Sequence, residues 1–570
     1  MEESACRAVA NETGGDGVHG RSGRGQAPRV TRPASVFRLG SCPLWPSPGK
    51  SMSALEIEAA PRARLPRQVP FIIGNEGCER FSFYGMRNIL TPFLVTSLLL
   101  YLPEAARAGA AKDVFHAFVI GVYFFPLLGG WLADRFLGKY RTVLWLSLVY
   151  CVGHLYLALF EHSVAGFYTG LGLIALGAGG IKPCVAAFVG DQFDESNRQL
   201  AKVVFDAFYW IINVGSFLAS LLMPFFLREY GAKVAFGLPG VLMFIATIVF
   251  WMGRKHYVML PPTRHDPHGF AQVVKSALLA HAPGQGRPGL IVAAASVALA
   301  LASLALMPTL GIVATLCVAL VLLLAGMVIG TRLQLERVRG MHPAEAIDGV
   351  AVVLRVLVVF ALVTPFWSLF DQKASTWVLQ ANAMQAPSWL HPAQMQAVNP
   401  ALVLLLIPFN NLVLYPLLRR LGIEPTALRR MTAGIVFSAI AWVVVGALQL
   451  ALDGGSPVHI AWQILPYVFL TMGEVLVSAT GLEFAYSQAP PSMKGTLMSF
   501  WTLSVTVGNL WVLLANAGVR NDAVLAGIAH TGMGATAFQM FFFAAFAGIA
   551  ALAFGLYARR YPVVDYYRST

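Results

Sequence analysis

Charge is scarce in this sequence. Of its 570 residues only 12% are Asp, Glu, Lys or Arg, while 57% are hydrophobic; an ordinary soluble domain carries about 25% charged residues. Water is therefore not the solvent for most of the chain. Cysteine is sparse too: Cys78, Cys151, Cys184 and Cys317 fall inside apolar stretches and no pair has the spacing of a metal knuckle, so neither a disulfide framework nor a zinc site is implied. The sequence lacks HExxH, GxSxG and a phosphate loop, which argues against a membrane enzyme. Its polar segments are too short to build a sizeable soluble domain, which disfavours a receptor or interaction protein. The formal charge of +13 lies mainly in short loops between apolar stretches. There it fixes membrane orientation, so no nucleic-acid partner is expected.

The first 51 residues are rich in Gly, Arg, Pro and Ser and contain no sustained apolar run, hence no signal-peptide core. They are expected to be disordered. A more ordinary start at Met52 points to a mis-annotated or dispensable extension, which N-terminal sequencing of the expressed protein tests.

From Pro70 onward, apolar runs recur at the length of about 20 residues that a bilayer core requires. Six fall near 70–100, 114–133, 141–160, 164–186, 204–227 and 234–253, each boundary good to about four residues. A polar stretch then leads to a close pair near 288–306 and 309–330. Six more follow near 350–370, 398–418, 431–452, 460–486, 495–517 and 537–557. The expected organisation is an N-terminal six-helix bundle (70–253), a linker with two accessory transmembrane helices (254–345) and a C-terminal six-helix bundle (346–570). Two bundles of equal helix count suit a transporter built around a central site. Basic residues before the first span (Arg62, Arg64, Arg67) and after the second span of each half (Arg135, Lys139, Arg141; Arg419, Arg420, Arg429, Arg430) place both termini inside. DRFLGKYR and RRLGIEPTALRR occupy the same place in the two halves, a faint internal echo.

An ionisable side chain inside a span costs roughly 2.5–3.5 kcal/mol on insertion scales, so it needs a partner, a wet cavity or a function. In the first span Glu76, Glu79, Arg80 and Arg87 gather on one helical face bordered by Tyr84. Paired charges at i,i+4 can simply hold helices together, but four on one stripe exceed what a helix contact requires. They would line a central cavity in which carboxylates take up and release protons. His116 and Tyr123 share a face of the second span, and Lys182 sits among glycines in LGAGGIKPCV. A buried ammonium needs an anion, unless it snorkels to water. In the second half Asp371 follows an apolar run, where an ordinary interfacial residue is the alternative to a functional one, and Tyr467 and Glu474 are seven residues apart; Glu483, like Glu474, is a candidate, though its nearness to a polar turn also suits a structural anchor. Trp367, Phe370 and Trp501 are candidates for apolar side-chain pockets, although membrane aromatics are more often packing residues. A cavity with both signs of charge suits a zwitterion.

These residues resemble the proton-dependent oligopeptide transporter family of the major facilitator superfamily. The family's ExxERFxYY element reads here as Glu76, Glu79, Arg80, Phe81 and Tyr84, with Phe83 in place of the first tyrosine of the pair. Its loop signature reads as Gly129, Gly130, Ala133, Asp134, Arg135, Gly138 and Lys139. GAGGIKPCVAAFVGDQF, FYWIINVGSF, FWSLFDQKASTW, the pair Asn399 and Pro400, and TMGEVLVSATGLEFAYSQAPPSMKG follow in the family's order. The resemblance implies an all-α major facilitator fold of fourteen transmembrane helices and a proton-coupled symporter of di- and tripeptides that works by alternating access. It implies that Arg87 and Lys182 face the peptide carboxylate, that Glu474 with Asn213 and Asn399 holds the amino end, and that Tyr84 and Tyr123 assist. Glu76, Glu79 and Arg80 would form the proton-coupling cluster. Asp371 would titrate beside Arg87 in an outer gate, and His116 matches a second-span histidine of animal-type members.

The coupling ion would be the proton, with no other cofactor. The short outer loops and inserted helix pair resemble bacterial members, hence a bacterial inner membrane, with lipid as surroundings and a functional monomer. A carrier of another small anion or amino acid is the rival reading. Peptide preference, proton stoichiometry, drug transport, oligomeric state and resting conformation are left open by the sequence.

Overall fold

The computed structural model describes residues 66–193, 198–262, 266–281, 286–488, 490 and 493–562. The expectations for residues 1–51 and for a start at Met52 lie outside them.

Apolar runs become helices because the helix alone satisfies its own backbone hydrogen bonds in hydrocarbon. The first bundle comprises α1 (Val69–Phe93, extended by a π-helical turn at Leu94–Leu98), α2 (Glu104–Leu132, ending in a π-helical turn at Ala133–Leu137), α3 (Gly138–Leu159) and α4 (Val164–Gly190). It is completed by Arg198–Met252, which breaks at Gly231 (φ +80) into α5 (198–230) and α6 (232–252). The inserted pair is α7 (Pro288–Ser303) and α8 (Ile312–Gln334). The second bundle contains α9 (Ala344–Asp371), α10 (Val398–Phe409, continued through a π-helical turn into Tyr415–Arg420) and α11 (Ala427–Asp453). It ends with α12 (Ile464–Glu474, a π-helical turn, then Thr480–Gln488), α13 (Lys494–Val519) and α14 (Ala535–Arg560).

Among the described residues, 11 helical stretches are long and apolar enough to cross a membrane. Two of them, Glu104–Leu159 and Ala207–Lys255, double back at Gly138 and Gly231 and are two crossings each. With α1, whose charges set it apart, the expected fourteen crossings are present. An even number brings Pro66 and Pro562 to one side, called the near side below; the opposite face is the far side.

Three departures from the sequence reading have local causes. The second helix begins at Glu104, ten residues before its apolar run, because EAARAGAAK is built of good helix formers that continue the helix beyond the bilayer. The ninth begins at Ala344 for a similar reason, with Pro343 at its N-cap. The linker also holds a short helix, Phe270–Leu279, with Val273, Val274 and Ala277 buried on one side. It is too short to span, so a search for spans passes over it.

Each bundle has its own apolar core. Phe93, Phe167, Phe188 and Phe236 belong to the first, and Trp377, Trp442, Phe366 and Phe484 to the second. In the first bundle α1 packs on α5 and α6, and α4 packs on α2 and α3; α2 meets α13 across the seam. A Cβ on Gly129 of α2 would collide with the backbone of Gly180 in α4, so these glycines set how closely the two helices approach. The internal echo has a structural counterpart, since Gly138 and Gly422 close the two matching loops at φ +74 and +75. Both conformations favour glycine.

Candidate functional site

The charges of α1 form two groups. Near its middle, Arg80 Nε lies 3.0 Å from Glu76 Oε1 and also pairs with Glu79. All three side chains are buried. The other oxygen, Glu79 Oε1, is buried without a hydrogen-bond partner. One guanidinium thus serves two carboxylates, and among the described residues Glu79 Oε1 finds no donor.

Two turns further along α1, Arg87 reaches across the seam and donates to Asp371 Oδ1 at 2.5 Å. The Asp371 carboxylate also accepts from Asn509 Nδ2 at 2.8 Å. His116 closes this network, with Nδ1 2.6 Å from Asn509 Oδ1 and Nε2 2.9 Å from Ser375 Oγ. Further bonds join the bundles in the same far half: Thr91 donates to the Ala374 carbonyl, Gln396 to the Asn88 carbonyl and Gln394 to the Leu221 carbonyl. At the rim Asp113 accepts from Asn516 at 2.9 Å and pairs with Arg520. The far side is therefore closed in this conformation.

Below that closure lie the remaining groups. Lys182, half-buried, holds its Nζ 4.1 Å from the centre of the Tyr123 ring and 5.3 Å from that of Phe83. Among the described residues no carboxylate lies within ion-pair distance of it. In the second bundle, Glu474 Oε2 accepts from Asn399 Nδ2 at 2.6 Å. Asn399 also donates to Thr471 Oγ1 at 3.0 Å and accepts from Lys373 Nζ at 2.8 Å. Glu474 sits at the start of the π-helical turn Val475–Ala479, an irregularity frequent at functional sites. Tyr84 is half-buried and within electrostatic reach of Arg80, Arg87 and Glu474.

Asn213 donates to the Tyr209 carbonyl within its own helix, at 3.0 Å, and is 8% exposed. Trp501 is buried, with its ring 5.8 Å from Trp367 and 5.3 Å from Phe360 and its edge against Gly481. Glu483 pairs with Arg430 at 3.1 Å. Lys373, Asn509, Ser375 and Thr471 were not singled out in the sequence. Lys373 and Ser375 stand in FWSLFDQKASTW, but nothing local marks their partners.

Two helix bundles, each with its own core, meet over buried charges that are bridged in the far half, the architecture of membrane carriers built from two bundles around a central site. Residues 140–519 match the family model described as PTR2: POT family. An auto-inhibited POT family peptide transporter of known crystal structure is 70% identical and superposes with a TM-score of 0.87, over 89% of this chain and 99% of that one. The POT family transporter PepTSo is 66% identical with a TM-score of 0.86, over 87% of this chain and 98% of that one. Solute carrier family 15 member 2 of Mus musculus is 33% identical over 440 residues, 73% of this chain and 54% of that protein. The chain belongs to the POT family. It spans about half the length of the curated relatives it matches.

Proposed function

We propose that this protein is a proton-coupled symporter that imports di- and tripeptides by alternating access. Its Lys182 ammonium, with no carboxylate at ion-pair distance among the described residues, carries the reading. That ammonium, together with a Glu474 carboxylate anchored on the opposite bundle, offers one charge of each sign to a ligand that has both. A peptide's carboxylate would pair with Lys182 and Arg87, with Tyr84 and Tyr123 alongside. Its ammonium would meet Glu474, positioned by Asn399, with Asn213 near that end. Trp501 and its aromatic neighbours form a wall for side chains. These roles, and the family's name for its relatives, support each other.

Protons enter through the carboxylates. Protonating Asp371 removes the anion from its pair with Arg87 and from the Asn509 bond, so the far closure weakens and the bundles rock. Arg87 is then free for the substrate carboxylate. Protonating Glu79 likewise loosens its hold on Arg80, so proton and peptide cross together. Glu76 keeps Arg80 in place, and His116 keeps Asn509 oriented toward Asp371. The basic near-side loops support a cytoplasmic near side; the reading adds a bacterial inner membrane, protons as the coupling ion, no further cofactor, and the monomer as the working unit.

The test is uptake of labelled di- and tripeptides by proteoliposomes with and without an inward proton gradient. Gradient-driven uptake is expected. No peptide uptake by folded protein overturns the substrate assignment in favour of another small anion or amino acid.

A further inference from the structure

Beside the seam, in the far half of the molecule, α2, α4 and α8 enclose a groove of about 760 Å³. Gly121 and Phe125 of α2, Leu171 and Gly172 of α4, and Leu316 and Leu320 of α8 line it, and no charged side chain is in its wall. The volume falls in the range of about 300–1,000 Å³ typical of sites that enclose a small molecule. Small residues hollow it out. A Cβ on Gly121 would press on Ala175 at 3.1 Å, so that glycine serves a helix contact. A Cβ on Gly172 would meet nothing within 4 Å, so this glycine leaves space.

The inserted helix α8 forms one wall, and its position makes the groove matter. Ala314 and Cys317 of α8 pack with Ile120 of α2 and with Leu510 and Leu513 of α13. The helix thus straddles the seam where the two bundles meet in the far half. The groove is the part of that contact which protein atoms do not fill. Left empty it would forfeit dispersion contacts along three helices, and with only Tyr168 and Thr506 to offer hydroxyls it gives water few partners.

We propose that one acyl chain of a phospholipid from the far leaflet occupies this groove and wedges α8 against α2 and α4. The commitment to a lipid rests on continuity. Phe124 on one lip and Leu316 on the other are exposed, and they run into the apolar surface that α7 and α8 present with Leu299, Leu301 and Ile312. At this depth the medium beyond the lips is hydrocarbon. When the far side opens, α2 and α13 separate, the cluster that holds α8 breaks, and the groove loses its wall. The chain must shift in every cycle, so its shape sets how readily the far side opens. The inserted helices then act as a lipid-filled strut on the seam.

Native mass spectrometry of delipidated protein tests the site independently of transport. The wild type is expected to retain a phospholipid that Gly172→Leu/Ala319→Leu, which fills the groove, does not. Ala295→Leu on the exposed side of α7 should retain it, and melting curves establish that all three are folded. In proteoliposomes, methyl-branched acyl chains are expected to slow peptide counterflow several-fold in the wild type but not in the filled variant. Equal retention by wild type and filled variant would mean surface lipid only and overturns the proposal. So does a bound apolar molecule that is not a lipid, or a wild-type rate indifferent to chain branching.

Discussion

Lys182 has aromatic rings for neighbours and, among the described residues, no carboxylate at ion-pair distance; on the proposed function the substrate supplies its anion. A charge-assisted hydrogen bond is worth about 1.5–3 kcal/mol. Lys182→Gln is expected to raise the KM for a dipeptide by about ten- to a hundredfold, since each 1.4 kcal/mol is about tenfold. The same variant should bind the free acid and its C-terminal amide alike, whereas the wild type prefers the acid. Competition uptake measures both, and a variant that still discriminates would remove Lys182 from the carboxylate site. The sequence exposed such residues because a charge in an apolar run stands out by hydropathy alone. Asn509 and Ser375 gave no comparable signal. Both are neutral, and their bonds to His116 join positions 393 and 259 residues apart, a pairing that only the closed seam creates. Lys373 lies past the apolar run that ends at Phe370, where hydropathy gives no sign of burial, yet the chain turns inward after Asp371 and buries it against Asn399.

At the scale of helices, period and length carried the reading, and its limits were those of hydropathy. Spans were legible because the bilayer dictates their length. Their polar extensions, such as residues 104–113 of α2, were not, since alanine-rich helix interrupted by charged residues has no apolar signature. How closely helices approach is set by glycine, with consequences that differ by site. Gly129→Ala must push α2 away from α4, because the added carbon falls on the Gly180 backbone. Overpacking of this kind costs about 1–3 kcal/mol, and the melting temperature of the purified protein should drop. Gly172→Ala, which fills open space, should leave it unchanged. If the two variants melt alike, the α2–α4 contact is more yielding than its geometry says.

For the molecule as a whole, the hydrogen bonds that join the bundles among the described residues gather in the far half, from Arg87 and Asp371 out to Asp113 and Arg520 at the rim. The rim pair is partly exposed, and exposed ion pairs contribute about 0.2–1 kcal/mol. That suffices to shift an equilibrium between two nearly balanced states by up to about fivefold. Arg520→Ala should therefore lengthen the electron–electron spin-label distances between labels at Glu104 and Ala523, at the far ends of α2 and of the chain after α13. The exchange Asp113→Arg/Arg520→Asp should restore the shorter distance. An unchanged distribution in Arg520→Ala would show that the rim pair bears none of the closure.

On the proposed function, the carboxylates at Glu79 and Asp371 couple proton movement to the rocking of two bundles around a peptide. The most direct measurement compares two assays on Glu79→Gln and Asp371→Asn in proteoliposomes: peptide accumulation driven by an inward proton gradient, and gradient-free counterflow. The expected result is that accumulation collapses while counterflow persists, because the amides hold one fixed charge state and the peptide site is intact. Full gradient-driven accumulation by either variant would contradict the claim for that residue, and by both would place the coupling site elsewhere.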